Sequence, residues 1–184
     1  MKKIQISIIG LGLLLSACAP MKQLAQSLPG APAEAGVANN MPLSSGTYFI
    51  VNANSNQALT PLNQSVGENV FLRDFNHGGL QRWQVIRVPN TTTYSIKLAG
   101  TDAMFFQPNY VKDHTPMVSP GKNGTSFKIQ AAQGTPDSWL IKSLKFNGDA
   151  LHSFVFSPNL PTELRFDPTD GSRKFMWRFI KVRE

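Results

Sequence analysis

The feature that most constrains the fold of this chain is a set of three residue landmarks that occurs three times in the same order. The first is an aromatic residue with isoleucine two positions later, which places both side chains on one face of a β-strand. Its copies, about 45 residues apart, are Tyr48–Ile50, Tyr94–Ile96 and Trp139–Ile141.

The second landmark is alanine followed by a larger hydrophobic residue, found at Ala58–Leu59, Ala103–Met104 and Ala150–Leu151. The third is an aromatic residue with a hydrophobic residue two positions later, found at Trp83–Val85, Phe127–Ile129 and Trp177–Phe179. The pattern predicts an internal threefold repeat.

Each copy has room for four short β-strands separated by turn residues. In the first copy we expect strands at 47–53, 57–62, 70–74 and 82–88. The chain has a single cysteine, so no intramolecular disulfide holds it, and 41% hydrophobic residues must supply the core. Twelve short strands in three units of four predict an all-β fold, the β-trefoil, in which six strands close a barrel and three hairpins cap it. The landmark residues are expected to fill one shared core.

The first eighteen residues have the pattern of an export signal. Lys2 and Lys3 precede an apolar stretch, residues 4–15, that is too short to span a membrane. The following Leu-Ser-Ala-Cys, ending at Cys18, resembles the lipobox of bacterial lipoproteins. That resemblance implies a signal peptide at 1–17, cleavage before Cys18 and acylation of this cysteine. Cleavage at an ordinary secretory site is the alternative. Ala19 and Pro20, where an inner-membrane lipoprotein would carry Asp, imply an outer-membrane location, facing either the periplasm or the cell surface.

Residues 18–44 lack aromatic side chains and are rich in Ala, Pro, Gly, Gln and Asn, which predicts a flexible tether. The trefoil is then expected at 45–184. The net charge is +7, and removal of Lys2 and Lys3 with the signal peptide leaves +5, which favours contact with anionic surfaces. Its positive residues are scattered, and an exported protein rarely meets nucleic acid, so we expect no nucleic-acid partner.

The folded part resembles the ricin-B-type β-trefoil lectin family. The resemblance rests on the opening Gly46–Ile50, the pair Ala58–Leu59 and the Gln81-Arg82-Trp83 triplet, which matches the family's Gln-x-Trp motif. It implies that the Gln-x-Trp motif has a mainly structural role. It also implies a sugar site with three parts: an Asp directly after the Leu of the second strand, an aromatic platform, and an Asn directly before the Gln. The positions after the Leu are Thr60, Phe105 and His152, and those before the Gln are Leu80, Gly124 and Lys174. The combination of lipobox, tether and trefoil is similar in layout to the binding subunits of cytolethal distending toxin.

The best candidate ligand site in the sequence is the loop that precedes Gln81. Asp74, Phe75, Asn76 and His77 offer a carboxylate, a ring, an amide and an imidazole, which suit a weak polar ligand. The alternative is a glycine-rich hairpin in which Asp and Asn cap their own backbone. Two segments of the third repeat, 147–149 and 167–171, also match turn sequences.

The last strand alternates basic with hydrophobic residues, which predicts a basic outer face at a solvated sheet edge. Its basic residues are Arg173, Lys174, Arg178, Lys181 and Arg183.

Catalytic and metal-binding patterns are missing from the sequence. His77, His114 and His152 have no metal-ligand spacing, and no nucleophile elbow or phosphate loop occurs. We therefore expect a protein that is not an enzyme and needs no cofactor or metal. We expect it to bind glycans or cell surfaces, with a place in a toxin-like complex as one form of that role. The alternatives are an envelope assembly factor that binds proteins without binding sugar, and a protease inhibitor that uses the connection 109–124.

Overall fold

The computed structural model describes residues 42–65, 67–108, 116–121, 124–155 and 160–183. These residues form strands in three groups of four, close to the expected positions. The first group is β1 (Gly46–Asn52), β2 (Gln57–Pro61), β3 (Val70–Asp74) and β4 (Arg82–Arg87). The second is β5 (Thr93–Leu98), β6 (Ala103–Phe106), β7 (Met117–Pro120) and β8 (Ser126–Ala131). The third is β9 (Trp139–Ser143), β10 (Ala150–Phe154), β11 (Glu163–Asp167) and β12 (Trp177–Lys181). Short 3₁₀ turns at Gly79–Gln81 and Arg173–Phe175 precede β4 and β12.

The first and last strands of each group close into a six-stranded barrel. All the pairs are antiparallel, and they run in a ring from β1 to β4, β5, β8, β9, β12 and back to β1. Each barrel strand therefore has a partner on both sides, so its backbone groups are satisfied without an open edge.

The two middle strands of each group form a hairpin outside the barrel. These hairpins are β2–β3, β6–β7 and β10–β11. They meet one another through bridges between Leu72 and Thr162 and between Asn69 and Met117. A closed six-stranded barrel with three associated hairpins is a β-trefoil, so the predicted fold is confirmed.

A residue in the left-handed backbone region occurs in the turn after the first strand of every group. Asn56 has φ of 59°, Gly100 of 75° and Gly148 of 80°. Asn and Gly tolerate this region better than other residues, so each of these turns has a local signal in the sequence.

The core is built from the landmark residues in threefold-equivalent pairs across the barrel strands. The pairs are Tyr48 with Trp83, Tyr94 with Phe127, and Trp139 with Trp177. The indole N–H of Trp83 donates to the Leu59 carbonyl at 3.0 Å, and that of Trp177 donates to the Leu151 carbonyl at 2.9 Å. The equivalent Phe127 has no N–H, so the second repeat lacks this bond. The first and third landmarks therefore take equivalent strand positions in all three copies, although Trp139 and Phe179 of the third repeat are only partly buried.

The second landmark is displaced by one residue in the second repeat. Met104 lies opposite Lys97 in the pair that corresponds to Val51 with Ala58, so Met104 takes the position of the alanine. Phe105, not Met104, then enters the core and is fully buried. Met104 lies outside it, close to Gly124, where an added Cβ would be 2.9 Å from the Met104 Cβ. The alignment of Ala103–Met104 with the other copies was wrong, because alanine before a hydrophobic residue does not fix a strand's register.

Residues just before β1 also belong to the folded unit. Leu43 is 8% exposed and is part of the main core cluster. The Tyr94 hydroxyl donates to the Leu43 carbonyl at 3.0 Å, and the Tyr48 hydroxyl donates to the Ser44 carbonyl at 2.8 Å. Burial raises the pKa of the Tyr94 phenol. Packing against the barrel therefore extends at least to Leu43.

Candidate ligand-binding surfaces

Gln81 is the structural centre of the candidate loop in the first repeat. Its side chain is buried, and its amide nitrogen donates to the Asp74 carbonyl at 2.8 Å and to the Thr60 hydroxyl at 3.3 Å. Its amide oxygen accepts from the Asn76 N–H at 3.0 Å. One buried amide thus ties the two ends of the loop together, which matches the structural role that the family resemblance implies for this residue.

Asn76 and His77 shape the turn of the loop. The Asn76 side-chain oxygen accepts from the Gly78 N–H at 2.9 Å, the hydrogen bond of an Asx turn. His77 has φ of 59°. A side chain at position 78 would place its Cβ 2.8 Å from the Asn76 Oδ1, so glycine is required there. The capping alternative therefore describes Asn76 correctly.

The rings of this loop form a small aromatic cluster on the outside of the barrel. The Phe75 and His77 ring centroids are 4.2 Å apart, and both rings contact Phe49, at 5.1 and 5.2 Å. Phe49 is buried beneath them, Phe75 is half-buried and His77 is exposed. Asp74 begins the loop with an exposed side chain, and its Oδ1 accepts from the Gln57 amide at 3.4 Å. The structure thus brings an exposed imidazole ring, a supporting phenyl ring, a carboxylate and an amide to one loop.

The equivalent positions in the other repeats use different chemistry. Thr125 takes the place of Gln81 in the second repeat, and its hydroxyl accepts from the Gln107 N–H at 2.9 Å. Phe175 takes that place in the third, and its ring packs against His152 with centroids 4.6 Å apart. The loop clamp made by Gln81 therefore belongs to the first repeat.

A second polar surface, which the sequence did not single out, lies on the outward face of β10 and β11. Strand alternation points Leu151 and Leu164 into the core and a set of polar and aromatic residues away from it, although His152 of this set is itself buried beside Phe175. These residues are His152, Phe154, Glu163, Arg165 and Asp167, called here the hairpin-three face. His152 lies opposite Arg165, and Phe154 lies opposite Glu163.

The charged groups of the hairpin-three face are largely paired within it. The Asp167 carboxylate is 2.7 Å from the Nε2 of His152, and the Arg165 guanidinium lies 3.6 Å from the Phe154 ring centroid. Arg165 also reaches Glu163 at 3.5 Å. The Nδ1 of His152 lies 2.9 Å from the Ser153 carbonyl oxygen, so both ring nitrogens face oxygen acceptors.

The acidic turns of the third repeat act locally. The Asp170 side chain accepts from the Ser172 N–H at 2.8 Å and pairs with Lys174 at 3.3 Å. Hydrogen bonding from Ser172, aided by Lys174, lowers the pKa of Asp170 to about 2. In the other turn, Asn147 and Gly148 both have positive φ. Both segments therefore have the backbone role that turn sequences predict.

The basic residues around the last strand are on the outside of the barrel, but the strand is not an edge. β12 pairs with β1 on one side and with β9 on the other. The expected solvated edge was therefore wrong, because barrel closure covers both sides of the strand. Arg178 donates to the side-chain oxygen of Asn56, Arg173 donates to the Ala53 carbonyl at 3.0 Å, and Lys181 is exposed.

Several predicted features lie outside the described residues. They are Cys18, the signal peptide, most of the tether, His114 and much of the connection 109–124. In the part of the chain that the structure describes, no helix is long and apolar enough to cross a membrane. Within the same part, no three His, Cys, Asp or Glu side chains come close enough together to hold a metal ion.

No protein-family model and no curated protein sequence matches the chain. Solved structures do match, and they define the class of fold. A ricin B-like lectin of Macrolepiota procera, in complex with lactose, is similar at a TM-score of 0.63 and 16% identity, over 77% of this chain and 100% of the lectin. The Rhizoctonia solani agglutinin is similar at a TM-score of 0.65 and 14% identity, over 77% of this chain and 99% of the agglutinin.

A toxin carries the same fold as one part of a larger chain. A mosquitocidal holotoxin is similar at a TM-score of 0.68 and 13% identity, over 77% of this chain and 18% of the toxin. The chain is thus a β-trefoil that is structurally similar to the ricin B-like lectins. At these identities the similarity describes the fold.

Proposed function

We propose that the protein is an outer-membrane lipoprotein whose β-trefoil recognises glycans or cell surfaces without covalent chemistry. The observation that carries the proposal is the exposed first-repeat loop, in which the His77 ring lies against Phe75 beside the side chains of Asp74 and Asn76. An exposed ring stacks on the apolar face of a sugar, and a carboxylate accepts hydrogen bonds from neighbouring hydroxyls. The lectins of the same fold support this assignment.

The loop is open to solvent, so its contacts with a sugar are few. Asn76 already uses its side-chain oxygen within the turn, which leaves its amide N–H₂ for a ligand. Gln81 is committed to the loop itself and acts as a positioning residue. Stacking on one ring and a few hydrogen bonds give weak binding at a single site, and display of many copies on a membrane raises the avidity.

The membrane part of the proposal rests on Cys18 and on the chain between it and the barrel. Two or three acyl chains contribute about 0.8 kcal/mol per buried CH₂ and give a stable anchor. A flexible segment from Cys18 to Leu43 has a root-mean-square length of about 30 Å, which lets the trefoil stand off the bilayer. A Cys18→Ser variant is expected to lose incorporation of labelled palmitate and to leave the membrane fraction. Retention of both would disprove the anchor.

Glycan binding is tested with the purified full chain in detergent on a glycan array. We expect a sugar that binds the wild type and loses at least fivefold in affinity with His77→Ala or Asp74→Asn. Asp137→Asn, which removes the same charge from another exposed turn, is the matched control and is expected to keep full affinity. An array without any bound sugar would refute the glycan assignment.

The alternative is an envelope or toxin-like assembly protein that uses the trefoil as a scaffold without binding sugar. Exposed apolar residues favour it, since Val155 is 63% and Leu160 is 54% exposed between β10 and β11. This alternative predicts a stable crosslinked partner in the native cell. It also predicts that Asp74→Asn and Asn76→Ala leave that partner bound.

A further inference from the structure

The three places where successive repeats meet on the barrel wall differ in one outward residue pair. The equivalent strand pairs are β4–β5, β8–β9 and β12–β1, and in each an outward residue of one strand lies directly opposite one of the next. These residue pairs are Gln84 with Lys97, Lys128 with Lys142, and Arg178 with Val51. Each residue pair can therefore be compared with the equivalent pairs at the other two places.

Two of the three pairs contain a single cation, and that cation contacts a nearby oxygen acceptor. Lys97 is opposite the neutral Gln84, and its ammonium pairs with Asp102 at 3.1 Å. Arg178 is opposite the buried Val51 and donates to the Asn56 side chain. In these two places each cation has a local oxygen acceptor.

The middle pair places two lysines directly opposite each other, with no such acceptor among the described residues. Lys128 and Lys142 are in register on β8 and β9, and neither forms an ion pair with any described residue. Both point outward, because their neighbours Phe127 and Ile141 are fully buried in the barrel. Directly opposite residues have Cβ atoms about 5 Å apart, and like charges at this spacing repel. An anionic group between the two ammonium groups removes that repulsion.

Hydroxyl groups lie on the Lys128 side of the lysine pair, on the same outer face. Thr93 of β5 lies opposite Lys128 on its other side, and one row further Ser95 lies opposite Ser126. The surface therefore combines two ammonium groups with a row of hydroxyl donors and acceptors. A carboxylate between the lysines with sugar hydroxyls beside it matches this arrangement, whereas adsorption to a bilayer requires charge alone.

We propose that Lys128 and Lys142 bind the carboxylate of an acidic glycan, such as a polymer of uronic acids. This site is on the barrel wall, away from the first-repeat loop, and does not require that loop to bind a sugar. A bound carboxylate accepts hydrogen bonds from both ammonium groups, which are charge-assisted and weaken with added salt.

The test measures binding of the full chain in detergent to immobilised polygalacturonate. The same polymer with its carboxyl groups reduced to alcohols is the uncharged control. We expect Lys128→Gln and Lys142→Gln each to weaken binding at least fivefold. Lys97→Gln and Lys181→Gln, which remove the same charge elsewhere, are expected to change it less than twofold. His77→Ala, which tests the first-repeat loop, is expected to leave this binding intact.

The inference is overturned by equal losses in all four lysine variants, by absence of polygalacturonate binding, or by equal binding to the reduced polymer. A membrane role would appear differently. Phosphatidylglycerol vesicles would then retain the chain more than phosphatidylcholine vesicles in a manner lost with Lys142→Gln, without any polygalacturonate binding. That outcome also overturns the proposal, because it assigns the lysines to lipid phosphate.

Discussion

Replacing Trp83 or Trp177 with phenylalanine tests whether equivalent core residues in different repeats contribute equally to the free energy of unfolding. Both indoles are fully buried, and each donates to a carbonyl of the neighbouring hairpin, at 3.0 and 2.9 Å. The N–H of Leu72, which lies opposite Leu59, donates to the Thr162 carbonyl, so the indole is the donor that reaches the Leu59 oxygen. Phenylalanine at position 127 already shows that the fold accepts a phenyl ring at this place.

The expected loss in the free energy of unfolding has two parts. Leaving a buried carbonyl without its donor costs about 1–3 kcal/mol. The missing ring leaves a cavity on the order of 40 Å³, which costs about 1 kcal/mol at ~24 cal/mol per Å³. Each variant should therefore lose about 2–4 kcal/mol, which lowers the melting temperature of a domain of this size by roughly 5–15 °C.

The assay is thermal and urea unfolding followed by far-ultraviolet circular dichroism. Trp139→Phe is the matched control, because Trp139 is half-buried and its indole forms no hydrogen bond with a described residue. We expect it to cost about 1 kcal/mol or less. A loss at Trp139 equal to that at Trp83, or a twofold difference between Trp83 and Trp177, would refute the argument from repeated hydrogen bonds.

Three further predictions concern single contacts. Tyr94→Phe should cost about 1 kcal/mol, because it removes the hydrogen bond to Leu43, and amide exchange near residue 43 should become faster. Burial raises the pKa of Tyr94 in the folded state, so the protein should lose stability as pH rises above about 10, and Tyr94→Phe should reduce that alkaline loss in unfolding measurements. Carboxyl titration by NMR should give Asp170 a pKa of about 2, and Ser172→Ala should move it toward 3.8. An unchanged midpoint would exclude the Ser172 hydroxyl as the cause, because the variant keeps the backbone N–H. Gln81→Leu should cost about 2–4 kcal/mol, because it leaves the Asp74 carbonyl and the Asn76 N–H without their partner, and exchange of the Asn76 amide should report it.

The fold could be predicted from the sequence because its strongest signals are core residues with a fixed spacing. Tyr48 and Trp83 illustrate this. A large aromatic side chain at an inward strand position can only pack into the interior of such a small barrel, so its position in the sequence predicts its place in the core. The same reasoning failed at Met104, because three consecutive hydrophobic residues follow Ala103, and either Met104 or Phe105 can face inward. Pairing with Lys97 decides between them, and that pairing depends on the length of a turn.

The candidate surfaces were harder to predict because they depend on contacts between strands. His152 and Asp167 are fifteen positions apart, and their contact requires the register of β10 with β11. Lys128 and Lys142 become neighbours only through the pairing of β8 with β9. The alternation of polar and hydrophobic residues along each strand predicts that both lysines face outward. It does not predict which residue of the neighbouring strand lies opposite each lysine.

A threefold fold with unequal repeats separates the residues that hold the barrel from those that give each repeat its chemistry. Most inward positions stay aromatic or aliphatic, because one barrel interior constrains all three copies. The position of Leu98 is an exception, since the buried polar residues Asn52 and Ser143 take its place in the other repeats. Positions beside the barrel strands vary more, as the buried residues Gln81, Thr125 and Phe175 do at one equivalent site, and each makes a different local contact in its own repeat. Binding on this protein is therefore expected to depend on one repeat or one repeat junction at a time. A substitution on one face should leave the affinity of the others unchanged, because the surfaces share no charged or hydrogen-bonded contact among the described residues.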